Sequence, residues 1–153
     1  MRETEKHLLV GLGNPGEKYK NTRHNVGFEA IDFFANQHSL VFCDSVRFRG
    51  SLAQGCIQDK QVILLKPMTF MNVSGVSIKS CIEYFSIAQE KLLIVCDDIN
   101  ISLGKMRMRM KGSSGGHNGL KSVSLSLDTE EFTRLRIGVD FPPIEQDLSG
   151  YVL

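Results

Sequence analysis

Hydrophobic and polar positions along this chain alternate between two periods. Residues 7–11 (His7-Leu8-Leu9-Val10-Gly11) form a short apolar run that stops at Gly13-Asn14-Pro15-Gly16, the pattern of a buried strand ending in a turn. Residues 25–38 then place Phe28, Ile31, Phe34 and Ala35 on one face at helical spacing. Two or three short strands are expected between residues 41 and 67, the last carrying Val62-Ile63-Leu64-Leu65. Ile78, Cys81, Ile82 and Phe85 recur at i, i+3, i+4 and i+7 and predict a second helix over residues 73–85. Leu92-Leu93-Ile94-Val95-Cys96 has the character of a central strand and runs into Asp97-Asp98. Residues 105–111 alternate strictly between cations and methionines, which predicts a half-buried strand. A Gly/Ser loop then opens a short helix over about residues 120–127, and residues 132–139 supply another strand. Strands alternating with helices, without repeat or linker, predict one α/β domain: a mixed β-sheet flanked by helices.

Composition narrows the class without naming a chemistry. At 153 residues, 42% hydrophobic and 23% charged, the chain suits one ordinary globular core. No apolar run approaches the roughly 20 residues of a membrane helix. The mixed-charge start, Met1-Arg2-Glu3-Thr4-Glu5-Lys6, does not have the form of a signal peptide, so a cytoplasmic protein without membrane attachment is expected. Cys43, Cys56, Cys81 and Cys96 form no C-x-x-C pair and are expected to be reduced, mostly buried thiols. The histidines have no metal-ligand spacing, so no metal is expected. A net charge of +1 announces no nucleic-acid partner, although a local cationic patch is compatible with it.

Two glycine motifs invite chemistry and then lose it. Gly11-Leu12-Gly13-Asn14-Pro15-Gly16 fits the G-x-G-x-x-G dinucleotide fingerprint, but Pro15-Gly16 favours a turn, and the polar stretch from Glu17 to Arg23 delays the helix whose amides would meet a pyrophosphate. Gly112-Ser113-Ser114-Gly115-Gly116 fits G-x-S-x-G. A serine esterase needs its histidine well downstream, whereas the only one after Ser114 is His117, three positions on. A third pattern is dispersed: Asn14, His24, Asn72, Asp97 and Asn118 each fall at a predicted strand end or helix start, the edges that line ligand crevices in open α/β sheets. A histidine accepts a proton from water near neutral pH, a carboxylate orients it, and carboxamides hold a substrate and donate to an oxyanion. By spacing alone this remains one grouping among common cap asparagines and lone histidines.

Four blocks then fall in one order. Gly11 to Gly16, with Tyr19 and Thr22-Arg23-His24-Asn25-Val26-Gly27, resembles the amino-terminal signature of bacterial peptidyl-tRNA hydrolases. Pro67-Met68-Thr69-Phe70-Met71-Asn72-Val73-Ser74-Gly75, Gly115-Gly116-His117-Asn118-Gly119-Leu120-Lys121 and Arg134-Leu135-Arg136-Ile137-Gly138 resemble that family's later blocks. The resemblance spans nearly the whole chain. It implies a monomeric enzyme that hydrolyses the ester between peptide and tRNA without a cofactor, with His24 as base and Asp97 orienting it. It assigns substrate contacts to Asn14, Asn72 and Asn118, and a place along the cleft to Tyr19, Phe70, Met71 and His117.

The cations fit a tRNA partner. Lys105, Arg107, Arg109 and Lys111 share one face of the predicted strand, and Met106, Met108 and Met110 the other. Four like charges repel one another, and phosphates relieve that repulsion. By resemblance this strand meets the tRNA acceptor end. Arg134 and Arg136 either extend the patch or make structural ion pairs, and Arg136 is counted with the patch. Asn100 and Asp140 depart from the family's usual residues. The chain stops at Leu153, where relatives continue into carboxy-terminal helices, one beside the cleft; a chain without them is expected to bind substrate weakly and melt early. The rival expectation is an RNA-binding scaffold of the same fold, like the chloroplast group II intron splicing factor, which an exposed apolar patch would favour.

Overall fold

A computed structural model describes residues 5–140 and Val152. The described residues form strands β1 (Lys6–Gly11), β2 (Cys43–Ser45), β3 (Gly50–Ile57), β4 (Lys60–Pro67), β5 (Leu92–Asp98), β6 (Met106–Arg109) and β7 (Thr133–Gly138), with helices α1 (Val26–Gln37), α2 (Ser74–Phe85) and α3 (Asn118–Leu127). The sheet order is β2-β3-β4-β1-β5-β7-β6. Strands β4, β1, β5 and β7 run parallel; β2, β3 and β6 join antiparallel at the two edges, so the sheet is mixed as expected.

The apolar runs are explained by burial on both faces. Leu8 and Val10 of β1, with Ile63 and Leu65 of β4, pack on Ile78, Cys81 and Phe85 of α2 and on Leu120 and Val123 of α3. Leu9, Leu64 and Val95 point to the opposite face, where Ile31 and Ala35 of α1 cover them. Three layers result, with α1 on one side and α2 and α3 on the other. Turn chemistry closes the elements: Gln58 and Asp59, both at positive φ, make the two-residue connection between β3 and β4, the geometry that matches strand twist. Helices α2 and α3 each end on a left-handed residue, Ser86 and Asp128.

Three expectations need correction. The segment 105–111 is not half-buried: β6 lies at the sheet edge beyond β7, and Met106, Met108 and Met110 are exposed along with the cations. Its alternation is real, but no described helix covers its methionine face. Of the cysteines, only Cys81 and Cys96 are buried; Cys43 and Cys56 are exposed at the other end of the sheet, and all four are free thiols. Helix α3 begins at Asn118, earlier than apolar periodicity indicates, because the His117 side chain caps it. The expected lack of carboxy-terminal helices concerns residues outside those described.

Candidate active site

The parallel strands β1, β4 and β5 all point their carboxyl ends at one place. The chain passes from β1 to β4 on one side of β1 and returns through α2 to β5 on the other side, so β1 is the topological switch point where such sheets open a crevice. The Leu12 amide donates to the Val95 carbonyl (2.9 Å) and carries the β1–β5 pairing one residue past the strand. Gly11 and Gly27 give a simple reason for the glycine-rich pattern. A Cβ at Gly11 would run into the backbone of Gly27, and one at Gly27 into the carbonyls of Leu12 and Val95, so glycine lets α1 lie against the strand ends. Gly11 of the fingerprint therefore serves close packing of α1 on the strand ends.

The loop after β1 holds Asn14, and the turn before α1 holds His24 and Asn25. Asn14 is buried; its Oδ1 accepts from the Met71 amide (2.7 Å) just beyond β4. The Asn14 amide donates to Asn25 Oδ1 (2.7 Å), and Asn25 Nδ2 donates to the Asn14 carbonyl (2.9 Å). Sequence reasoning missed Asn25 as a functional residue. Its signals were a place inside the Thr22–Gly27 block and a carboxamide at a helix start, directly after His24.

Asp97, at the end of β5, is the hub. One oxygen, Oδ1, accepts from His24 Nδ1 and from His117 Nε2, each at 2.7 Å. The amides of Gly119 and Leu120 donate to His117 Nδ1 (3.1 and 3.2 Å), so that nitrogen carries no proton and Nε2 is the protonated one. The bond from His24 Nδ1 to the carboxylate places that ring's basic lone pair on Nε2. The two rings lie 4.9 Å apart, centroid to centroid. Burial alone would push the Asp97 carboxyl up, but the hydrogen bonds from His117 and His24 outweigh it and hold the carboxyl well below the usual range. A carboxylate kept ionised at neutral pH between two imidazoles can orient a base. His24, Asp97 and His117 are also a set of metal-ligating types within 4.8 Å, although no histidine spacing signalled it. Their nearest atoms already touch as hydrogen bonds, and the second nitrogen of His117 is taken by backbone amides, so the set is spent on mutual orientation.

A cleft of about 470 Å³ opens over this hub. It brings together nine of the residues singled out from sequence: Asn14, His24, Phe70, Met71, Asn72, Asp97, His117, Asn118 and Arg136. Ser114 and Val152 also reach it. His117, the histidine nearest Ser114 in sequence, directs Nε2 at Asp97 and accepts at Nδ1 from backbone amides, so it does not serve Ser114 as a base. Tyr19 sits apart in the short turn Glu17–Tyr19. Lys105, Arg107 and Arg109 stand outside the cleft on the exposed edge. Arg136 is half-buried at its wall, donating to the Ser113 carbonyl (3.1 Å) and lying 3.5 Å from Asp98. Arg134 is fully buried and donates to the carbonyls of Glu130, Phe132, Gly112 and Ser113, so its role is structural.

Known proteins share both sequence and fold with this chain. The family profile described as peptidyl-tRNA hydrolase matches residues 8–153. A peptidyl-tRNA hydrolase from Clostridium botulinum is 47% identical over 146 residues, covering 95% of this chain and 75% of the relative. One from Bacillus cytotoxicus is also 47% identical and is covered to 78% of its length. The crystal structure of the peptidyl-tRNA hydrolase from Acinetobacter baumannii superposes with a TM-score of 0.91 at 37% identity, covering 99% of this chain and 77% of that one. With its motifs in order, its sheet matched and its histidine–carboxylate hub at the switch point, this chain belongs to the peptidyl-tRNA hydrolase family.

Proposed function

We propose that the protein hydrolyses the ester between the peptide and the tRNA of peptidyl-tRNA, with His24 as general base. The observation that carries this is the 2.7 Å bond from His24 Nδ1 to buried Asp97, in a cleft whose walls carry Asn14, Asn72 and Asn118. His24 Nε2 takes a proton from water as its oxygen attacks the ester carbonyl, and Asp97 stabilises the imidazolium that forms. The tetrahedral intermediate collapses, the ester oxygen leaves with the tRNA and takes that proton, and the peptide departs as a carboxylic acid. His117 Nε2–H holds Asp97 from the other side and keeps the shared oxygen fixed. The Oδ1 of Asn14 is occupied by the Met71 amide, so Nδ2 is the part of that side chain that serves substrate; Asn72 and Asn118, both exposed, have more freedom. Phe70 and Met71, which line the cleft, flank the peptide. Lys105, Arg107, Arg109 and Arg136 contact phosphates of the acceptor end.

The reaction needs no cofactor and is assigned to a cytoplasmic monomer; no helix among the described residues is long and apolar enough to cross a membrane. The exposed methionines of β6 are the kind of surface a scaffold would use, but a scaffold has no use for an ionised carboxylate orienting a histidine. The test supplies a peptidyl-tRNA and an aminoacyl-tRNA with a free amine and measures released tRNA. The wild type should cleave the peptidyl substrate. His24→Ala should slow turnover by about 10²–10⁴-fold at nearly unchanged tRNA affinity. Wild-type turnover by that variant would sink the assignment.

A further inference from the structure

We propose that Asn25 is a positioning residue for the reaction: its carboxamide clamps both main-chain polar groups of Asn14 and so fixes, relative to His24, the amide that Asn14 presents to substrate. The inference rests on the substrate role proposed for Asn14.

Asn25 is buried, and its two bonds are reciprocal. Oδ1 accepts from the Asn14 amide at 2.7 Å, and Nδ2 donates to the Asn14 carbonyl at 2.9 Å. A carboxamide offers the same paired donor and acceptor that a neighbouring strand would offer. The side chain thus stands in for one rung of a ladder where β1 has already ended. No other side chain of this length carries both groups: aspartate lacks the donor, and leucine lacks both.

The location gives the clamp its consequence. Asn25 precedes α1 and follows His24 directly, so whatever it holds is held relative to the base. It occupies the N-cap position, where asparagine normally accepts from the helix's own first-turn amides, yet it makes no such bond. Its capping capacity is diverted to Asn14. The other end of Asn14 is fixed too, since its Oδ1 accepts from the Met71 amide at 2.7 Å. That bond decides which way the carboxamide is turned, with oxygen toward Met71 and Nδ2 left as the donor. Three chain segments, the loop after β1, the start of α1 and the end of β4, therefore meet at Asn14, and Asn25 holds the main chain on which this depends.

A double-mutant cycle separates positioning from plain support of the fold. Asn14→Ala, Asn25→Ala, Asn25→Asp and the combinations with Asn14→Ala are compared by kcat/KM on an N-blocked aminoacyl-tRNA, after circular dichroism and thermal melting. Asn25→Asp keeps size and the acceptor for the Asn14 amide, and decides the matter if Asn25→Ala fails to fold. The expected result is that each Asn25 variant loses about tenfold in kcat/KM, while in the Asn14→Ala background the same change costs nothing further. For Asn25→Ala, which adds no charge, the acid limb of the pH–rate profile should stay where it is in wild type; Asn25→Asp sets a carboxylate beside His24 and is judged by kcat/KM alone. Additive losses, an acid limb displaced in Asn25→Ala, or wild-type kcat/KM in a folded Asn25 variant would each overturn the role of Asn25. If Asn14→Ala itself retains wild-type kcat/KM, the substrate role of Asn14 fails first, and the clamp falls with it.

Discussion

Asp97 concentrates the electrostatics of the molecule in one side chain. Its lowered carboxyl affinity for protons also bears on stability. The unfolded chain binds a proton at the ordinary value of 3.8, and the folded chain only at lower pH. The contribution of this carboxylate is therefore complete above that value and is lost as pH falls below about 4 toward the folded titration. Wild type and Asp97→Asn, unfolded in urea from about pH 6 down to about pH 3, should converge as acid is added; a gap that widens on acidification contradicts the assignment. In the reaction, Asp97→Asn should be milder than His24→Ala, because an amide oxygen can still accept from both rings while the base remains. The reverse ranking in kcat would mean the two roles are exchanged. At this scale His24 was legible as a candidate from its motif block, and Asp97 from its place at the end of a predicted strand. The bond from His117 to Asp97 was not, since a histidine that caps a helix through Nδ1 looks like any polar residue after a glycine.

Strands and helices succeed or fail by what lies next to them. Helix α1 approaches β1 and β5 through Gly27, where a methyl group would meet backbone rather than a yielding side chain. Gly27→Ala should cost about 1–3 kcal/mol in a denaturant melt, as overpacking does, and should lower activity because His24 rides on the same turn. An unchanged midpoint would show that the backbone there relaxes. Strand β6 presents Arg107 and Arg109 to solvent at the open edge of the sheet. Neutralising both should weaken tRNA binding and reduce the slope of log affinity against log salt by roughly 1 per phosphate that each arginine neutralises, with little change in the chemical step. A slope equal to wild type would mark the face as solvated surface. Periodicity located β6 correctly and misjudged its burial, because alternation says that two faces differ and says nothing about what covers either one.

Across the whole molecule, the sheet sorts reactive groups by position. Burial pushes the thiols of Cys81 and Cys96 up to about 12, whereas Cys43 and Cys56 lie exposed. An aromatic disulfide reagent at neutral pH should therefore label two cysteines of the folded protein quickly and the other two only on denaturation; four fast thiols would mean that the central layer opens readily. The order of elements, the strands buried on both faces and the turns that end them were determined by sequence alone, because hydrophobic period and glycine, proline and asparagine turns are local properties. The motif blocks likewise carried the family. Tertiary structure alone decided that Asp97 is shared by histidines 73 and 20 positions away, that Asn14 is gripped from Asn25 and Met71, and that Arg134 is internal while Arg136 reaches the cleft. These are hydrogen bonds among residues far apart in the chain. They exist because β4, β1 and β5 end side by side, and adjacency in a sheet is set by the packing of every layer at once rather than by any stretch of sequence.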